Sequence, residues 1–276
     1  MTEMPAPYRV VRLDVADVRA ASTSPYELAE ALLGVPPLMI ERQPIKPLPN
    51  ARSIASSREA SPLHTDSQML FGIPAAVQIL VCVKPAARGG ESTLVDGDSV
   101  IERLERENEN LARAAFDVDR LQRFYFGEVR GPTVALRGGH LAWTLAPKAE
   151  LDDEAGKALV RAVTSHDRIE IPLAANEALI ASNHRMLHGR RSFEGERELV
   201  RLLVWLEDPI FSAQRHPMRA RSVAPRLEPE ATKRMRAVFA LLRGVPPAKV
   251  SRDFAVDEAT LYGWRDRMIT PSLTVG

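Results

Sequence analysis

His64-Thr65-Asp66 is the first place in this sequence where reactive side chains stand at an informative spacing. On an extended strand residues i and i+2 point the same way, so an imidazole and a carboxylate would share one face. Alone, such a pair is common, and a hydrogen-bonded structural contact is its ordinary reading. Further candidate donors lie far downstream, in Ser182-Asn183-His184-Arg185-Met186-Leu187-His188-Gly189-Arg190. Two histidines and one carboxylate on one side of a metal make the facial triad of non-haem Fe(II) chemistry. Imidazole nitrogen suits Fe(II), one carboxylate partly neutralises it, and the open positions can take a chelating cosubstrate and dioxygen. On chemistry alone either His184 or His188 completes the set.

The elements that must position these groups read as strands with helices set between them. Ala76-Val77-Gln78-Ile79-Leu80-Val81-Cys82-Val83 is short, apolar and closed by Pro85, as a buried strand is. Ser92-Thr93-Leu94-Val95 follows the turn pair Gly89-Gly90, and Arg168-Ile169-Glu170-Ile171-Pro172-Leu173 alternates like a half-buried strand. Glu177–Ala181 and Glu198–Leu206 add two more. Amphipathic helices are expected from Asp98-Ser99 through Leu104, and from Asp152-Asp153 through Val163, with acidic residues at their N-termini. The pattern implies a β-sandwich or barrel with helical insertions.

Composition narrows the class. In 276 residues, 45% are hydrophobic and 26% charged, the balance of a globular protein rather than a disordered chain. The formal net charge of +1 gives no overall field toward nucleic acid or membrane. The single cysteine, Cys82, rules out an intrachain disulfide framework and a cysteine-rich metal site. The first residues lack a basic segment followed by an apolar run, and no apolar stretch nears the roughly 20 residues of a membrane helix. A cytoplasmic protein with no membrane partner is the expectation.

Four segments in order now carry a resemblance: His64-Thr65-Asp66, Gly89-Gly90-Glu91-Ser92-Thr93-Leu94-Val95-Asp96-Gly97, Leu187-His188-Gly189-Arg190 and Arg197-Glu198-Leu199-Val200-Arg201. Together they resemble the taurine dioxygenase-like and clavaminate synthase-like family of Fe(II)/2-oxoglutarate-dependent oxygenases, over roughly residues 35 to 207. The resemblance implies a mainly β fold with helices (α+β), a double-stranded β-helix or jelly roll. It implies His64, Asp66 and His188 as iron ligands, leaving His184 as an exposed or hydrogen-bonded histidine. Arg197 matches the arginine that holds the distal carboxylate of 2-oxoglutarate, a bidentate task lysine cannot copy. Ser92 matches the hydroxyl residue on that carboxylate, with Thr93 as rival, since strand neighbours face opposite ways. Arg201 matches an arginine that faces an anionic substrate. The implied chemistry uses Fe(II), 2-oxoglutarate and dioxygen to hydroxylate an unactivated C–H of a small polar metabolite, such as an amino acid or derivative. Asp66 in the ligand set favours hydroxylation, or a variant such as desaturation, over halogenation.

Two stretches lie outside those motifs. Phe124-Tyr125-Phe126, Arg130, His140 and Trp143 form either a lid on the substrate or a small satellite core. The oxygenase domain is expected over residues 1–225, with a helical appendage over 226–276. There, Met235, Val238, Phe239 and Leu242 are spaced as on one helix. The stretch from Ala248 to Arg265 looks like a helix-turn-helix, which raises the alternative of a DNA-binding regulator that senses 2-oxoglutarate. The acidic Asp257-Glu258, where phosphates would lie, opposes nucleic-acid binding. The apolar set is thin for an independent domain. These helices are therefore expected to pack on the body or to join two copies of the chain.

Overall fold

The computed structural model describes residues 6–49, 51, 53–66, 74–124, 127–137, 140–147, 151, 153–207 and 229–269. The chain begins with β1 (Tyr8–Arg12), α1 (Val15–Thr23), α2 (Pro25–Leu33) and β2 (Met39–Ile45). Next come β3 (Ser61–His64), β4 (Val77–Lys84), β5 (Arg88–Gly89), β6 (Ser92–Asp96), α3 (Gly97–Glu107) and α4 (Glu109–Asp117). Two hairpins follow, β7 (Arg120–Phe124) with β8 (Gly127–Gly131), and β9 (Val134–Arg137) with β10 (His140–Trp143). Then come α5 (Glu154–Thr164), β11 (Ile169–Ile171), β12 (Glu177–Ser182), β13 (Met186–Arg190), β14 (Phe193–Glu194) and β15 (Glu198–Trp205). The chain's last helices are α6 (Pro229–Leu242), α7 (Pro247–Phe254) and α8 (Glu258–Ile269).

Two antiparallel sheets dominate this mixed α/β fold, a five-stranded one in the order β1-β12-β4-β15-β2 and a four-stranded one in the order β11-β6-β13-β3. Strand alternation sorts the side chains. Val77, Ile79 and Val81 of β4 join Val200, Leu202 and Val204 of β15 in a cluster with Leu28 and Leu33 of α2, on the outer face of the larger sheet. Between the sheets, Leu94, Ile171 and Met186 from the smaller one meet Leu179 and Ala181 from the larger. The far face of the smaller sheet carries Val95 and Leu187, which pack with Val100 and Ile101 of α3 and Leu159 and Val163 of α5. The order is thus helices, sheet, sheet, helices, as two one-sided apolar sheets require. Asp96 and Asp153 cap α3 and α5, accepting from the backbone N–H of Asp98 at 3.1 Å and of Gly156 at 2.8 Å.

The strands expected from apolar runs appear within a residue or two of their expected bounds, and both amphipathic helices start within a residue or two of theirs, α3 running on to Glu107. Of the residues named for a lid or a satellite core, Trp143 belongs to a core. Trp143 is fully buried in the cluster beneath α3 and α5, on the far face of the smaller sheet. Tyr125 and Phe126 lie outside the described residues, as does the expected boundary near 225.

The C-terminal helices divide their apolar residues, where packing on the body or a second copy was expected. Phe239 packs with Leu203, Trp205 and Ala75 of the body. Ala237 and Ala240 of α6 meet Val250 of α7 and Leu261 of α8 in a small core of their own. Leu242, expected on the buried stripe, is 37% exposed.

Candidate active site

The site forms where β3 meets β13. His188 stands opposite His64 in the antiparallel register, and their rings lie 4.5 Å apart between centroids, tilted by 55°. Gly189 permits this approach, because a Cβ there would come within 2.6 Å of the Ser61 carbonyl oxygen. Asp66 follows two residues after His64, just past the end of β3. Ligand atoms of His64, Asp66 and His188 all lie within 4.8 Å of one another. His64 Nδ1 lies 2.8 Å from the Pro62 carbonyl oxygen. A proton donated there leaves the Nε2 lone pair for a metal, as an outer partner of a ligating histidine commonly does.

Protonation suits that purpose. Burial, aided by the neighbouring His188, pushes His64 down to about 4, so its ring is neutral at pH 7. Burial alone would raise Asp66, but Arg201 foremost, then His188 and His64, hold it well below the usual carboxylate range. A neutral His64 imidazole and an ionised Asp66 carboxylate, with the His188 ring beside them, make a donor set that fits Fe(II).

Asp66 is held from several sides. Arg201 Nη1 donates to both carboxylate oxygens, at 2.7 and 2.8 Å. Gln78 Nε2 donates to Asp66 Oδ2 at 2.5 Å and lies 3.0 Å from His188 Nε2. The other Arg201 terminal nitrogen donates to Gln43. Arg201, expected to face an anionic substrate, has its two terminal nitrogens engaged within the protein, while its buried Nε has no partner among the described residues. Residue alternation explains the grouping. Gln43 of β2 stands opposite Arg201 of β15 on the inward face of the five-stranded sheet, while Gln78 stands opposite Leu203 on that same face.

A second cationic cluster joins Arg190, the last residue of β13, to Arg197, immediately before β15. Ser92 pairs with Arg190, and Leu94 with His188, so Ser92 shares the face that carries His188. Thr93 pairs with Gly189 and points the other way, into a cavity of about 560 Å³ bounded by α5. Of the two rivals, then, only Ser92 lies on the triad's face. Arg190 and Arg197 both sit over the Phe193 ring, at 4.9 and 5.6 Å from its centroid. Arg190 donates to backbone oxygens of the 54–59 loop, including Ser57 at 2.9 Å. Arg197 is 7% exposed and, among the described residues, has neither a hydrogen-bond acceptor nor an acidic partner. Burial, with Arg190 nearby, lowers its pKa to about 10, which still leaves it protonated at pH 7. A buried, unpaired guanidinium is a receptor for a carboxylate.

His184 stands apart from the triad. It is fully buried rather than exposed, its Nε2 lies 3.2 Å from the Pro74 carbonyl oxygen, and its own carbonyl accepts from Trp143 N–H at 2.8 Å. Sequence reasoning missed Gln43, Gln78, Asn183 and Arg190. For Gln78 a signal existed, a lone polar residue inside an apolar strand.

Two histidines and a carboxylate gathered between two facing sheets make a donor set of the kind that non-haem Fe(II) oxygenases use. The model of the taurine catabolism dioxygenase TauD, TfdA family matches residues 37–161, which include His64, Asp66 and Ser92, and the resemblance drawn from the motifs holds. No curated protein matches the chain significantly. Among solved structures, one of an asparagine oxygenase in complex with Fe(II), 2S,3S-3-hydroxyasparagine and succinate is 15% identical. It aligns over 72% of this chain and 74% of that one with a TM-score of 0.57. The non-heme iron oxygenase OrfP, in complex with Fe and alpha-ketoglutaric acid, is 18% identical. It aligns over 72% of this chain and 75% of that one with a TM-score of 0.53. At such identities the likeness establishes a common fold.

Proposed function

We propose that this chain is an Fe(II)/2-oxoglutarate-dependent dioxygenase that hydroxylates an unactivated C–H of a small polar metabolite, an amino acid or derivative. Iron bound with 2-oxoglutarate and dioxygen supplies the oxidising power for that step, with release of succinate and carbon dioxide. His64, Asp66 and His188 hold the metal through two imidazole nitrogens and one carboxylate. Arg197 receives the distal carboxylate of 2-oxoglutarate, with the Ser92 hydroxyl as a second donor. Arg201 steadies Asp66 with its terminal nitrogens and turns its remaining donor toward an anionic group of the substrate. The observation that carries the reading is the pairing of the His64–Asp66–His188 cluster with a buried arginine, Arg197, that lacks a counter-ion among the described residues.

The facing five- and four-stranded sheets support the finer fold assignment, a double-stranded β-helix. The amino-acid part of the reading draws on the asparagine oxygenase, whose structure holds a hydroxylated asparagine, and on OrfP, seen in complex with (3S)-hydroxy-L-Arg. No described helix is long and apolar enough to cross a membrane, and we assign a cytoplasmic location, with α6–α8 as the surface for any pairing of chains. These neighbours are oxygenases, and the alternative of a DNA-binding regulator finds no support among them.

A screen of amino acids and their derivatives with Fe(II) and 2-oxoglutarate tests this. One substrate should release succinate in step with a product heavier by one oxygen atom. Succinate release that no substrate stimulates, or that persists after His64→Ala, would overturn the reading.

A further inference from the structure

The Asp66 carboxylate has four side chains around it, those of Arg201, Gln78, His188 and His64, but its backbone poses a separate problem. The β3 ladder to β13 ends at the His64–His188 pair, so no strand partner fixes the main chain at Asp66. That main chain is buried, and a buried N–H or C=O needs a partner. Asn183, in the turn between β12 and β13, supplies both. Its Oδ1 accepts from Asp66 N–H at 2.8 Å. Its Nδ2 donates to the Asp66 carbonyl at 2.7 Å and to the Ala75 carbonyl at 2.9 Å. Asn183 is itself pinned, since its N–H donates to the Ala76 carbonyl at 2.9 Å and it is 1% exposed. An amide is the one neutral side-chain group that offers donors and an acceptor in a single rigid plane. Aspartate has the same shape but loses both donated bonds, and would set a charge against two carbonyl oxygens.

We propose that Asn183 is a positioning residue for the metal centre: its amide clamps the backbone of Asp66 against the start of β4 and so fixes where the carboxylate presents its oxygens to a metal shared with His64 and His188. The inference rests on the proposed role of Asp66 as a ligand. It assigns Asn183 no contact with substrate, and it explains why an uncharged residue 117 positions away in sequence is buried against the site.

The test is divalent-metal titration of the full chain, with Co(II) as probe because its visible absorption reports coordination geometry, and with Asn183→Ala, Asn183→Asp, Asp66→Ala and Ser182→Ala compared. Ser182 is the buried neighbour whose hydroxyl has no partner among the described residues, so its variant reports generic disturbance of the turn. Losing an outer-shell partner costs about 10–100-fold in metal affinity. The expected result is a rise of that size in the Co(II) Kd for both Asn183 variants, a changed Co(II) spectrum, and a native Kd for Ser182→Ala. Native affinity and spectrum in a folded Asn183 variant, while Asp66→Ala loses the metal, would overturn the inference and leave the ligand reading standing. Native affinity in Asp66→Ala would instead remove the ligand reading beneath it. Failure of both Asn183 variants to fold would assign the residue to the scaffold and overturn the inference too.

Discussion

Charge and hydrogen bonding at single residues set the two histidines proposed as metal ligands apart from His184. His64, Asp66 and His188 converge, whereas His184 spends its ring on the Pro74 carbonyl. Alanine at any of the first three should abolish substrate-coupled succinate release and divalent binding. His184→Ala should keep metal affinity while lowering the melting temperature, because it empties a fully buried position. A metal titration beside a melting curve distinguishes the two. Arg197 yields a second prediction. Losing a charge-assisted bidentate pair at a buried site costs on the order of 2–5 kcal/mol. Arg197→Ala should therefore weaken 2-oxoglutarate binding by at least roughly thirty-fold, at about 1.4 kcal/mol per decade. Arg197→Lys should recover little, since a point charge lacks the fork. An unchanged 2-oxoglutarate Kd in Arg197→Ala would remove the assignment.

Among the elements, the joints between strands and helices hold the structure in place. A Cβ at Gly97, the first residue of α3, would lie 2.2 Å from Trp143 Nε1 and 2.8 Å from the Arg185 carbonyl oxygen. Gly97→Ala should cost about 1–3 kcal/mol, the range for overpacking, read as a lower denaturation midpoint at constant slope. At the start of α5, Asp153 caps the helix and accepts from Arg120 at 2.7 Å. That hydrogen bond holds the Asp153 carboxyl below its ordinary value. Its contribution is therefore full above the unfolded carboxylate value near 3.9 and fades as pH falls through the lower folded value. With the side chain 40% exposed, solvent screening keeps that electrostatic part to about 1 kcal/mol or less. Acid titration of stability should show native and Asp153→Asn chains converging below pH 4; a constant gap would point to the geometry of the cap instead.

How far the sequence revealed these elements depends on length and contrast. β4 and β15 are eight-residue apolar strands, and α3 and α5 carry clean apolar stripes, so all four could be read directly. Helices α1, α2 and α4 have nine residues each, too few for a period to emerge. β3, four residues including a proline, looks like a loop although it carries His64. Candidate ligands were legible because residue type and local spacing announce them. The choice between Ser92 and Thr93 needed the register with β13, and the Arg201–Asp66 contact joins groups 135 positions apart on different layers.

For the molecule as a whole, α6 ties the last helices to the body. Arg201, Leu203 and Trp205 are successive inward positions on β15, and Phe239 covers the last two of them. Phe239→Ala should destabilise the whole chain by about 3–5 kcal/mol, the usual range for emptying a buried phenylalanine site. A chain ending at Arg226 should melt earlier, because Leu203 and Trp205 lose their cover. Equal melting temperatures for the native chain and both variants would show the appendage to be independent of the body.

The strand order of the larger sheet also bears on how the protein must be made. β4 lies between β12 and β15, and the early strands β1 and β2 pair with those same two late strands. While the chain emerges from the ribosome, the most apolar strand therefore has both edges open until more than 90 further residues have appeared. Unpaired edges are templates for association between chains. Closing such distant pairs is also slow. Nascent copies thus face an interval in which protection by a chaperone, or low synthesis rate, governs the yield of soluble protein.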